Sequence, residues 1–60
     1  MKNLRQATKN DFKVGTNLIT LEGYTFTITS HYAESVWEAR GNSGSICVME
    51  GDARFYKVLA

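Results

Sequence analysis

Large and small side chains alternate most regularly over residues 24–29. Tyr24, Phe26 and Ile28 are interleaved with Thr25, Thr27 and Thr29. Every residue here is aromatic or β-branched, the class that fits a pleated, half-buried surface. A period of two puts the large side chains on one face and the threonines on the other, which predicts a strand and no helix. Residues 16–21, with Leu18, Ile19 and Leu21 apolar, predict a partner strand. Glu22-Gly23 between them has the length and the second-position glycine of a hairpin turn. Residues 30–35 show no clear period and predict a loop.

Further on, Trp37 and Ala39 share one face of a strand over residues 36–40, with Val36, Glu38 and Arg40 on the other. Gly41-Asn42-Ser43-Gly44 is a turn by composition. The strand over residues 45–49 is apolar on both faces, which suits a central strand or one lying under a partner. Glu50-Gly51-Asp52 turns the chain again, and Asp52 is placed to cap a single turn over residues 53–55. Residues 56–59 close as a last strand. The expected core is Phe26, Ile28, Trp37, Val48 and Val58. Residues 1–12 predict a basic arm, loose or with one helical turn and anchored by Phe12, because so short a helix is marginal alone. The chain thus divides into an arm, 1–12, and a single domain, 13–60.

The order is hairpin, loop, hairpin, short turn, final strand. On that order the chain resembles an SH3-like fold, a mainly all-β, small, five-stranded, partly open barrel. The resemblance covers roughly residues 13–60 and implies architecture alone, since this fold serves many functions. SH3 domains take proline-rich peptides in a patterned aromatic groove, and no residue-by-residue match to that groove is present.

Composition narrows what such a domain can do. With 60 residues there is room for one domain. Such small cores usually need a disulfide, a metal or a partner chain. Cys47 is the single cysteine and His31 the single histidine, so a disulfide within the chain is excluded and no zinc ligand set is evident. No cofactor is implied. Cys47, between Ile46 and Val48, reads as a buried reduced thiol, which suits a cytoplasmic setting. The opening residues lack the apolar run of a secretory signal, and no stretch has the length of a membrane span. Net charge is +1. Lys2, Arg5, Lys9 and Lys13 face only Asp11 in the first third, whereas acids prevail in the remainder.

No phosphate loop, nucleophile elbow, paired-cysteine or zinc-protease motif occurs. A Cys47–His31 dyad is disfavoured because an apolar surrounding raises a thiol's pKa and silences it. The chain therefore reads as no enzyme. Two surface classes remain. The first is a protein-binding module, with Tyr32, His31, Arg40, Tyr56, Lys9 and Arg5 as contact residues, tyrosine and arginine being frequent hot spots. In overall cast the chain resembles short bacteriophage-encoded accessory proteins. That likeness implies an inhibitor of a host enzyme or antiviral defence system, acting in the host cytoplasm on a partner protein. The second is a small nucleic-acid-binding barrel using strand aromatics and the basic arm, disfavoured by the acidic balance of the barrel portion. A structural subunit of a larger assembly is a third reading. The two apolar faces of residues 45–49 also predict a homodimer through Ile46, Val48, Cys47 and Met49, with Leu4 and Phe12 of the arm as the rival cover.

Overall fold

The computed structural model describes residues 3–59. They form six antiparallel strands in one sheet: β1 (Leu4–Gln6), β2 (Asn17–Thr20), β3 (Thr25–Ala33), β4 (Val36–Gly41), β5 (Gly44–Met49) and β6 (Tyr56–Leu59). Their spatial order is β1-β6-β2-β3-β4-β5. Two 3-10 segments, Lys9–Asp11 and Glu50–Phe55, interrupt them. The fold is thus mainly β, as expected, but with six strands in place of five and with a sheet that does not close into a barrel. β1 and β5 remain as its two edges.

The hairpin of β2 and β3 forms where the alternation predicts it, with Leu18 opposite Phe26. Its turn is one residue longer than the Glu22-Gly23 pair suggests. Leu21, Glu22 and Gly23 form the loop, closed by the Gly23 N–H donating to the Thr20 carbonyl at 3.0 Å. Gly23 sits at φ +96, the left-handed position that three-residue hairpin loops reserve for glycine.

β3 runs on through residues 30–33, which the sequence assigned to a loop. Two register shifts against β4 explain why the pattern hides it. Ile28 faces Ala39 but Ser30 faces Glu38, and His31 faces Trp37 but Ala33 faces Val36. Thr29 and Tyr32 are therefore extra residues on β3. Each such bulge reverses the alternation and bends the strand. The following turn, Glu34-Ser35, places Ser35 at φ 63, a conformation for which serine is no signal.

The core is Ala7, Phe12, Leu18, Phe26, Ile28, Ala39, Val48 and Val58. Four of the five expected core residues are in it. Trp37 is the exception: it is half-buried and packs against the core from its margin. Tyr24 is a second correction, because the face it was to share with Phe26 and Ile28 ends at the turn and leaves it two-thirds exposed. The presumed arm is also more ordered than a loose segment. Leu4, Arg5 and Gln6 pair with Leu59, Val58 and Lys57, and Ala7 and Phe12 enter the core. Residues 1 and 2 of that arm lie outside the described residues. Asp52 does not cap the second 3-10 segment; that segment starts at Glu50, with extended Met49 before it. No helix among the described residues is long and apolar enough to cross a membrane.

Candidate protein-binding surface

The six contact residues expected from the sequence do not meet in one place. His31 and Tyr32 lie at the far end of β3, beside the β3–β4 turn. Arg40 lies on β4 near the opposite end, Tyr56 opens β6, and Arg5 and Lys9 belong to the first strand and the first 3-10 segment.

At the far end, the His31 ring stacks on Trp37 with centroids 4.1 Å apart. The indole Nε1–H of Trp37 donates to Glu50 Oε2 at 2.9 Å. The bulge brings His31 onto the Trp37 side of the strand, so its face is already taken by a neighbour within the chain. Tyr32, the second bulged residue, is left pointing outward, 72% exposed. Cys47 is not the buried thiol expected: it is exposed, because β5 is an edge strand whose outer face no other described residue covers. It stands opposite Glu38, while His31 stands opposite Trp37 one row away. The Cys47–His31 pair is therefore not assembled.

Arg5 is committed to an ion pair. Its guanidinium grips Asp11 with Nη2 to Oδ1 at 2.7 Å and Nη1 to Oδ2 at 2.9 Å. The Thr8 N–H donates to the same carboxylate at 2.8 Å. Hydrogen bonds from Arg5, then from Thr8, hold the Asp11 carboxyl well below the usual carboxylate range. A carboxylate favoured in the folded state stabilises it fully above the ordinary value, near 4, and loses that contribution as pH falls. We expect Asp11→Asn to lower the melting temperature at about pH 6, with the gap to wild type narrowing toward about pH 2. The Arg5 side chain is half-exposed, so salt also weakens the pair. A gap independent of pH in a thermal melting series would rule this role out.

The β2–β3 turn presents a more open surface. Its backbone is locked: the Thr20 N–H donates to the Tyr24 carbonyl at 2.8 Å, and the Tyr24 N–H donates to Thr20 Oγ1 at 3.1 Å. This frame projects Leu21 and Tyr24, 70% and 66% exposed. On one side of the turn lies an open groove of about 470 Å³ lined by Gly23, Tyr24, Thr25, Thr27, Arg40, Gly41 and Asn42. On the other side Leu21 and Glu22 face Phe55 and Tyr56 across a second hollow of about 270 Å³. Burial pushes the Tyr56 hydroxyl up, and Asp52 adds to this. Arg40 and Tyr56, two residues singled out from the sequence, thus flank the same turn on opposite sides.

Leu21, Tyr24 and Phe55 are the residues that sequence reasoning missed. All three are large and apolar in a small domain, which by composition alone argues for the core. Only their position at a turn or in the 3-10 segment leaves them outside. Among the described residues no cluster of three or more histidine, cysteine or acidic side chains could hold a metal ion. Comparison with protein-family models, with curated proteins and with solved structures finds no match to this chain.

Proposed function

We propose that this chain is a non-catalytic protein-binding module that engages its partner through the β2–β3 turn. The observation that carries the reading is the exposure of Leu21 and Tyr24 on a hydrogen-bonded turn between two hollows. A rigid turn loses little entropy on binding, and a tyrosine offers contact area together with a polar tip. Phe55 extends the apolar surface on one side. Arg40 supplies a charge and a planar hydrogen-bonding group on the other.

Strand order supports an SH3-like arrangement over β6-β2-β3-β4-β5, with a 3-10 segment before the last strand. The extra edge strand β1 and the unclosed sheet depart from it. The finer reading, an inhibitor of the bacteriophage accessory type, rests on the resemblance in overall cast noted from the sequence. The nucleic-acid reading is weakened by the ion pair of Arg5 with Asp11, which removes a cation from the basic segment.

The test uses a photo-crosslinking residue at position 24 or 32, added to lysate of the natural source cells. Capture is expected from position 24 and not from position 32. Once the captured protein is identified, Tyr24→Ala should weaken binding about thirtyfold, the scale of a hot-spot truncation of about 2 kcal/mol. Both turn residues are exposed, so Leu21→Ser and Tyr24→Ala should leave the melting temperature nearly unchanged. Undiminished binding by the Leu21→Ser/Tyr24→Ala double variant would remove the turn from the interface.

A further inference from the structure

A free sheet edge is a template for another strand, and proteins protect such edges with charges, prolines, bulges or very short strands. β1 is protected by its length of only three residues. β5 has none of these devices. It is six residues long, reads Gly-Ser-Ile-Cys-Val-Met, and pairs without any register shift against β4 alone. The described part of the arm, residues 3–12, does not cover it: Leu4 is on the opposite edge of the sheet, Phe12 is in the core, and Cys47 and Met49 are exposed among the described residues.

The hydrogen bonding of the β4–β5 hairpin decides which groups this edge offers. The Glu50 N–H donates to the Ser35 carbonyl at 2.9 Å. Antiparallel ladders alternate between hydrogen-bonded and non-hydrogen-bonded pairs. With Trp37 opposite Val48 and Ala39 opposite Ile46, the backbone groups of Val48 and Ile46 point toward β4. Those of Ser45, Cys47 and Met49 point away, with no partner among the described residues. These three positions are symmetric about Cys47.

We propose that two copies of this chain pair antiparallel through β5, about a twofold axis at Cys47, and join their sheets into one. This register satisfies all three free positions at once, with Cys47 opposite its own mate and Ser45 opposite Met49 of the second copy. On the inner face it sets Ile46 against Val48 of the second copy, a cross-strand pair of β-branched side chains. No charged side chain lies on β5 to oppose the pairing. A second copy is the occupant because the strand is complementary to itself, which a twofold interface requires. The dimer leaves the β2–β3 turn to the partner proposed above, so either reading can fail without the other.

Light scattering at about 100 µM should give twice the 6.7 kDa chain mass. Cys47→Lys sets two like charges opposite each other at the axis and should return a folded monomer, with its strand signal by circular dichroism retained. Directly opposed residues in a hydrogen-bonded pair have Cα atoms about 5.5 Å apart, within disulfide range. Diamide, which accepts the two thiol hydrogens, should therefore convert wild type to a covalent dimer. In Cys47→Ser/Ser45→Cys the two thiols sit four residues apart in register, roughly 13 Å, and no crosslink is expected. A wild type of single-chain mass overturns the proposal. So does a Cys47→Lys protein that stays dimeric, or crosslinking at position 45 as efficient as at position 47. If Cys47→Lys fails to fold, the crosslinking comparison alone decides.

Discussion

Phe26→Ala is expected to leave the chain largely unfolded at 37 °C. Phe26 stands opposite Leu18 in the β2–β3 ladder and belongs to the core cluster of the described residues. Removing a core phenylalanine costs about 3–5 kcal/mol, part from lost burial and part from the cavity left behind. A domain of 60 residues has a total stability of only roughly 3–9 kcal/mol at typical values per residue. No disulfide within the chain can make up the difference, because Cys47 is alone. Thermal melting by circular dichroism checks this. A Phe26→Ala protein that melts at the wild-type temperature would mean that the ring is not part of the core.

Gly41→Ala is expected to cost about 1–3 kcal/mol, the scale of overpacking a filled site. Gly41 closes the β4–β5 hairpin opposite Gly44. A Cβ placed on it would come within 2.7 and 2.8 Å of two Phe26 ring carbons and 2.9 Å of the Thr25 carbonyl oxygen. Contacts that short require the ring or the β3 backbone to move. The ring can move and the backbone cannot easily, so the cost should fall in part, not wholly, when Phe26 is shortened. Urea titration of Gly41→Ala, Phe26→Leu and the double variant measures that coupling. Strictly additive losses would show that Gly41 and Phe26 do not press on each other. Gly41 also borders the groove beside Tyr24, so a shift of the ring should alter that groove as well as stability.

Where sequence and structure agree, each strand reports its own two faces. Phe26 and Ile28 precede the bulges of β3, Val48 and Val58 sit in strands that pair without a register shift, and all four are interior. Where they part, a neighbour elsewhere in the chain sets the outcome. Beyond Ile28, two bulges erase the period, so the second half of β3 carries no local signal. Trp37 looked like core from its alternation with Glu38. It sits instead at the margin, held by His31 and by Glu50, thirteen positions along the chain. Of the candidate surface, Arg40 and Tyr56 were legible as contact residues, whereas Leu21, Tyr24 and Phe55 were not. An apolar residue next to a turn can fold inward or stay out, and local pattern does not distinguish the two.

By itself the sequence determined the β class, the first hairpin, the two later strands with their turn, and most of the core. These follow from local rules: alternation, β-branching and glycine placement act over a few residues and are readable there. Tertiary structure alone decided that Leu4–Gln6 would pair with β6, making a sixth strand. It also decided that the sheet would stay open, with β5 and exposed Cys47 at its edge. Strand order and edge exposure depend on contacts between residues up to fifty-five positions apart, such as Leu4 with Leu59. No window along the chain contains both partners of such a contact, so the sheet's edges became visible only once the strands were assembled.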